Sequence, residues 1–374
     1  MADRDASPLD VTGRVRPALV GFEPYDPAFT PCRINLSANE NTHPLPASVT
    51  EAMRAAAVSC ALNRYPDPMA NGLRDLLAAW HGVERANVMV GNGGDELLFN
   101  LLFTFGGPGH ALVTCPPDFS EYANFAKMCE TPCVEVWRDA RTFEVDADAL
   151  VDAARSASLV ILTSPNNPTG CMYTKETLDA IHDILKDKPI FVLCDDVYRT
   201  LTYTDGYHSF SEYQDMRDRI IVIQSFSKPY AMTGWRLGYC MADAKLMDRI
   251  QVFHQYCVTS VPSFVQRACV TALETDTSDV VEIFRKRRDY VYQRLIDMGL
   301  DVEKPEGAFY MFVDIRKFGM DSNTFCTRML KEGLVGVIPG IHFGTEGFMR
   351  LSYCYSDADL KEGLDRIEKF IKSL

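Results

Sequence analysis

The stretch Ile220-Ile221-Val222-Ile223-Gln224-Ser225-Phe226-Ser227-Lys228 decides how this chain is read. Four β-branched residues in a row predict a short strand buried on both faces, the kind found in parallel sheets. The run ends in a polar cluster with two hydroxyls and a lysine. Three other runs have the same build: Ala111-Leu112-Val113, Leu159-Val160-Ile161-Leu162 and Ile190-Phe191-Val192-Leu193. Each also stops at polar or aromatic residues. These are Cys115-Pro116-Pro117-Asp118-Phe119, Thr163-Ser164-Pro165-Asn166-Asn167-Pro168-Thr169-Gly170 and Cys194-Asp195-Asp196-Val197-Tyr198. Ligands of open α/β sheets bind outside the carboxyl ends of the strands. Four such clusters predict an α/β fold with one shared site.

Around this centre the chain changes texture twice. Residues 1–45 are irregular and rich in proline, including Pro17, Pro24, Pro27, Pro31 and Pro44. Residues 46–275 alternate apolar runs with amphipathic stretches, such as Leu73, Leu76, Leu77 and Trp80 at helical spacing. Residues 276–374 carry a charged helix over 282–294, a strand over 308–313 and an amphipathic helix over 357–371. We expect an N-terminal arm that joins a small α+β domain (1–45), a large ligand-binding domain (46–275) and a C-terminal small domain (276–374). A chain of 374 residues is long for one core, which agrees with two domains.

Composition excludes several classes of function. The formal net charge of -13 argues against nucleic acid or an anionic membrane as a partner. No run approaches the length of a membrane span, and MADRDASPLD lacks the apolar centre of a secretory signal. The 12 cysteines are scattered, and the pair Cys129 and Cys133 has no matching second pair, so no metal site is expected. Free thiols in a reducing cytoplasm are the expectation.

Each polar cluster has a chemistry. Lys228 follows a buried strand, where partial desolvation lowers an amine's pKa and favours the neutral nucleophile. Ser225 and Ser227 offer hydroxyls, and Arg236 can fork onto a phosphate. Gly91-Asn92-Gly93-Gly94-Asp95-Glu96 precedes an apolar helix whose free N–H groups can take an anion. Asp195 ends a buried strand, and a buried carboxylate requires a partner. A protonated ring nitrogen suits it. Asn167 and Tyr198 can donate to a phenolate oxygen, and Phe119 can stack on a ring. Taken singly, each of these residues is ordinary; taken jointly, they point to one cofactor.

The motifs Ser-Pro-Asn-Asn-Pro-Thr-Gly, Asp-Asp-Val-Tyr and Ser-Phe-Ser-Lys followed by Arg236, in this order and spacing, resemble those of fold-type I aminotransferases of class I and II. The resemblance covers nearly the whole chain. It implies a large domain built on a mostly parallel seven-stranded sheet flanked by helices, plus a smaller α+β domain. It implies pyridoxal 5′-phosphate, held by Lys228 as a Schiff base, with Lys228 also as proton shuttle. Asp195 then pairs with the ring nitrogen, Tyr198 and Asn167 hold the phenolic oxygen, and Phe119 stacks on the ring. The backbone of Gly94, Asp95 and Glu96, with Ser225, Ser227 and Arg236, holds the phosphate. Arg350 takes the substrate α-carboxylate together with Asn167, and Tyr25 and Asn39 lie at the substrate. Tyr65 is contributed to the other subunit's site, so a homodimer is implied. The substrates are an α-amino acid and a 2-oxo acid.

The N-terminal half is similar to histidinol-phosphate aminotransferases, through Glu23-Pro24-Tyr25, Ser37-Ala38-Asn39-Glu40-Asn41, Arg64-Tyr65-Pro66-Asp67-Pro68 and Gly94-Asp95-Glu96. The C-terminal half is closer to aspartate and aromatic aminotransferases, through Thr233-Gly234-Trp235-Arg236, Glu306-Gly307-Ala308-Phe309-Tyr310 and Arg350-Leu351-Ser352-Tyr353. The histidinol-phosphate enzymes carry an extra arginine before the carboxylate arginine, for the substrate phosphate. Here Val337-Ile338-Pro339-Gly340 has no cation, although His342 lies nearby. An unpaired dianion is costly in a closed site, so we expect an amino acid without phosphate. A decarboxylase or lyase on the same scaffold, or histidinol phosphate as substrate, is the alternative.

Overall fold

A computed structural model describes residues 12–23 and 32–374. In chain order the strands are β1 (Ile34–Asn35), β2 (Val88–Gly91), β3 (Ala111–Thr114), β4 (Cys133–Glu135), β5 (Ala157–Thr163), β6 (Phe191–Asp195), β7 (Ile220–Ser225), β8 (Gly238–Met241), β9 (Asp301–Val302), β10 (Tyr310–Asp314), β11 (Val335–Gly336), β12 (Ile338–Pro339) and β13 (Phe348–Ser352). The helices are α1 (Ala47–Ser59), α2 (Asn71–His81), α3 (Gly94–Phe105), α4 (Glu121–Met128), α5 (Ala147–Ala154), α6 (Lys175–Leu185), α7 (Ala244–Val258), α8 (Ser263–Leu273), α9 (Ser278–Asp297), α10 (Ser322–Arg328) and α11 (Asp357–Ile371).

Seven strands form the large sheet in the order β2-β8-β7-β6-β5-β3-β4. Only β8 runs against its neighbours; the pairings β3–β4, β3–β5, β5–β6 and β6–β7 are parallel. The four apolar runs of the sequence become β3, β5, β6 and β7. Their lack of alternation has a direct cause: both faces are covered. Leu159 and Ile161 of β5 pack with α3, α4 and α7, whereas Val160 and Leu162 pack with α5 and α6.

The smaller unit is an antiparallel sheet, β12-β13-β10-β9, with a separate parallel pair, β1–β11. Helices α9 and α11 bury Phe284, Val291, Leu295, Leu360, Leu364 and Ile367 against it. Ile34 and Leu36 belong to the same core, so the N-terminal segment is packed into the C-terminal unit. Leu36 N–H donates to Gly336 O at 2.8 Å, and Ser352 N–H donates to Leu36 O at 2.8 Å.

Two local expectations differ from the structure. On α2, Leu73 and Leu77 are buried, but Leu76 and Trp80 are 39% and 60% exposed. The apolar stripe of this helix is wider than the face its own chain covers. The strand expected over 308–313 begins at Tyr310, because Ala308 has φ 55°, outside the extended region.

Candidate active site

The carboxyl ends of β5, β6 and β7 and the N-terminus of α3 surround an open cavity of ≈550 Å³. Its lining includes Asn39, Gly94, Asp95, Phe119, Tyr122, Asn167, Asp195, Tyr198, Ser225, Ser227, Lys228 and Arg236. The end of each of these strands puts polar groups there. This follows from the chain's twofold constraint: the strand interior must be apolar on both faces, and its end is the first position free of that demand.

Lys228 follows β7 and is half-buried. Its Nζ donates to Asn39 O at 2.7 Å, and Asn41 Nδ2 donates to Lys228 O at 2.9 Å. Burial lowers the amine to about 8, with the charge of Arg350 adding to the effect and that of Asp95 opposing it. Asn39 Oδ1 is buried with no hydrogen-bond partner among the described residues.

Asp195 closes β6 and is 4% exposed. Its Oδ2 accepts from the Tyr122 hydroxyl at 2.5 Å, and its Oδ1 accepts from Val197 N–H at 3.4 Å. Burial raises the carboxyl to about 6, and the Tyr122 bond opposes that rise. Tyr122 in turn meets Thr163 Oγ1 at 2.9 Å. Phe119 lies edge-on to Tyr122, with ring centres 5.6 Å apart. Tyr122 and Thr163 were not among the sequence candidates. The available signal was spacing, since Tyr122 falls one helical turn after Phe119.

The anion end is built from a turn and a helix start. Gly93 has φ 95°, and a Cβ there would stand 2.7 Å from Arg236 Nη2. Only glycine lets the guanidinium lie against the start of α3. Arg236 Nη2 donates to Asp95 Oδ2 at 3.1 Å, and its Nη1 donates to Thr233 O at 3.1 Å. The Glu96 side chain turns away from this face. It accepts from Asn92 Nδ2 at 3.0 Å, from Asn100 Nδ2 at 3.0 Å and from Asn92 N–H, and His254 Nδ1 meets it at 2.7 Å. Despite burial, these partners, led by His254, hold its carboxyl down to about 2. Glu96 therefore offers the cavity its backbone, while its carboxylate braces the turn.

Arg350 sits on β13 and is 4% exposed. Its Nη1 donates to Asn167 Oδ1 at 2.8 Å, and its Nη2 donates to Ser37 O at 2.7 Å. Its guanidinium lies 4.5 Å from the Tyr310 ring centre and 4.8 Å from that of Phe343. Asn167 is buried and follows the Asn166 turn, in which Asn166 Oδ1 accepts from Thr169 N–H and Oγ1. The Tyr198 hydroxyl is hydrogen-bonded to that of Tyr310. His342 is exposed, and its neighbour Phe343 is the residue that meets Arg350. Tyr65 is 87% exposed and does not line the cavity of its own chain. Tyr25 lies outside the described residues.

The residues fit pyridoxal 5′-phosphate. One part of the cavity is a cradle of hydroxyls, guanidinium and helix N–H groups. Another holds a buried carboxylate with no ion pair among the described residues. An amine of lowered basicity lines the same space. No cluster of metal-ligating residues occurs among the described residues, nor is any helix there long and apolar enough to cross a membrane.

Comparison with known proteins gives the same picture. The sequence profile of the family "Aminotransferase class I and II" matches residues 33–367. An aspartate aminotransferase of Thermotoga maritima is 33% identical over 355 residues, covering 91% of this chain and 92% of the relative. A probable N-acetyl-LL-diaminopimelate aminotransferase of Bacillus subtilis is 36% identical over 292 residues, covering 76% and 74%. Among solved structures, the Thermotoga maritima aspartate aminotransferase superposes with a TM-score of 0.86 at 32% identity, over 91% of this chain and 92% of that one. An aromatic aminotransferase of Pyrococcus horikoshii gives 0.85 at 32% identity, over 91% and 96%. These relatives do not favour the decarboxylase or the histidinol-phosphate reading. The chain belongs to the class I and II aminotransferases, on the fold-type I scaffold, and is a pyridoxal-phosphate-dependent aminotransferase.

Proposed function

We propose that the chain moves an amino group between an unphosphorylated α-amino acid and a 2-oxo acid, with Lys228 holding the cofactor and carrying the proton. One observation supports this above the others. An amine lowered to about 8 and a buried carboxylate line one cavity, and Asn167 there is tied to a buried guanidinium. When bound, the cofactor ring is the electron sink for the charge left as the Cα–H bond breaks.

The chain's own residues do the rest. Lys228 Nζ, half neutral near pH 8, would take the proton from the substrate Cα and deliver it to the cofactor's C4′. Asp195 holds the ring nitrogen protonated, and Tyr122 keeps Asp195 ionised. Asn167 accepts from Arg350 through its oxygen, which leaves its NH₂ to donate to the ring's phenolic oxygen beside Tyr198. Phe119 covers the ring. Backbone N–H groups of Gly94, Asp95 and Glu96, with Ser225, Ser227 and Arg236, hold the phosphate. Arg350 forks onto the α-carboxylate, which orients the Cα–H bond. Asn39, whose Oδ1 has no hydrogen-bond partner among the described residues, lies at the substrate.

The stretch 337–340 has no cation and His342 faces solvent, which supports a substrate without phosphate. We read the protein as a homodimer in which Tyr65 reaches the partner's site; the exposed Tyr65, Trp80, Phe103 and Tyr256 support this. We take residues 1–45 with 276–374 as the small domain and 46–275 as the large one, in keeping with Ile34 and Leu36 in the C-terminal core. Twelve free cysteines support a reducing cytoplasm.

The test is a half-reaction screen. Each amino acid is added to cofactor-loaded protein, and the loss of its visible absorbance is followed along with keto-acid release. Lys228→Ala is expected to abolish turnover and to keep some cofactor bound. Full turnover in that variant overturns the assignment.

A further inference from the structure

Tyr310 does not line the cavity, yet it touches two residues given roles there. On β10 it stands across from Ser352 of β13, and Phe312 stands across from Arg350. Alternate residues share a face of a sheet, so Tyr310 and Arg350 lie diagonally on the same side. The Arg350 guanidinium is 4.5 Å from the Tyr310 ring centre, and the two phenol rings meet edge-on at 5.6 Å. Tyr310 is fully buried. Among the described residues, its hydroxyl has one hydrogen-bond partner, the hydroxyl of Tyr198.

Two hydroxyls share that bond, and one must donate. Burial raises both phenols above their ordinary range. The Tyr310 bond and the Arg350 charge pull Tyr198 back, while Tyr198 pushes Tyr310 further up. Among the described residues the Tyr310 hydroxyl has no other acceptor, and a Tyr198 that donates into the cavity can only accept here, so Tyr310 is the donor and Tyr198 the acceptor. The Tyr198 hydrogen is then left for an acceptor in the cavity.

We propose that Tyr310 is a positioning residue, which donates to the Tyr198 oxygen and thereby commits the Tyr198 proton to the cofactor's phenolic oxygen. This rests on the reading of Tyr198 given above. Hydrogen bonds in a chain polarise one another, so Tyr198 becomes a stronger donor than it is alone. Donation to the ring oxygen lowers the basicity of the nitrogen that joins Lys228 to the cofactor. The quantity affected is the pH at which the resting, cofactor-loaded enzyme changes colour.

The test is a visible pH titration of cofactor-loaded wild type, Tyr310→Phe, Tyr198→Phe and the double variant. Tyr310→Phe is expected to raise the midpoint by roughly 0.5–1 pH unit, the worth of one buried hydrogen bond. The double variant is expected to match Tyr198→Phe alone, because Tyr310 acts only through Tyr198. Placing 3-fluorotyrosine at position 310 keeps the packing, makes a stronger donor, and is expected to lower the midpoint. This arm also decides the matter if Tyr310→Phe does not fold. An unmoved midpoint in Tyr310→Phe or the fluorinated protein, or shifts that simply add, overturns the proposal and makes Tyr310 a packing residue. Wild type that takes up no colour at all refutes the Lys228 reading, and this one with it.

Discussion

Tyr122 donates to Asp195 Oδ2 at 2.5 Å and meets Thr163 Oγ1 at 2.9 Å, and all three residues line the cavity. The bond is the main force opposing the effect of burial on that carboxyl. Tyr122→Phe removes it without changing ring volume. A hydrogen bond to a charged group is worth about 1.5–3 kcal/mol, so kcat/KM is expected to fall by roughly 10- to 100-fold. Cofactor affinity, measured by titration of the cofactor-free protein, is expected to weaken in parallel. An unchanged cofactor Kd counts against the role given to Asp195.

Asp195 carries a stability consequence of the opposite sign. Its folded value of about 6 lies above the ordinary carboxyl value. The cofactor-free native state therefore holds a proton more tightly than the unfolded chain, and stability is lost as pH rises from about 4 through 6. The loss is about 3 kcal/mol for a rise of this size. Asp195→Asn is expected to raise the Tm of cofactor-free protein at pH 8, to leave it unchanged near pH 4, and to abolish most turnover. Calorimetry at the two pH values, with one activity assay, checks all three.

Lys228 sets a pH profile. An amine lowered to about 8 is substantially neutral at pH 8.5, where an ordinary lysine is almost fully charged. The rate at which cofactor-free protein takes up pyridoxal 5′-phosphate is expected to rise with pH around a midpoint near 8. Stopped-flow absorbance gives the curve. A midpoint above 10 contradicts a desolvated amine.

Arg350 is held by Asn167 Oδ1 and Ser37 O and stacked between Tyr310 and Phe343. Lysine cannot reproduce that fork or that stacking. Arg350→Lys is expected to raise KM for the amino acid and to lower kcat/KM by roughly 100-fold, while cofactor colour persists. Steady-state kinetics across substrate concentration separates the two constants.

The parts of this protein that were legible in its sequence are those governed by local rules. Runs such as Ile220-Ile221-Val222-Ile223 announce strands buried on both faces, and a site follows where such runs end. Gly93 and Arg236 could be named because a glycine turn before an apolar helix and a nearby guanidinium are both sequence features. Tyr122, Thr163 and the carbonyl of Ser37 were not legible, because each works through a contact that only the folded chain creates. Leu76 and Trp80 misled for a related reason. Their spacing states that they are apolar on a helix, but not which surface covers them. Tyr310 reads as one more aromatic in a strand until the register of β10 against β13 sets it under Arg350.

The short pairing of Ile34 and Asn35 with Val335 and Gly336 has a consequence for how the molecule comes into being. The segment that follows β1 supplies the Asn39 carbonyl and the Asn41 amide that bracket Lys228. A nascent chain leaving the ribosome makes this segment well before residues 335–352, to which it is fastened. The pocket is thus framed only when two segments far apart in the chain are joined, and a chain stopped short of β11 carries every cavity-lining side chain yet leaves the lysine without its frame.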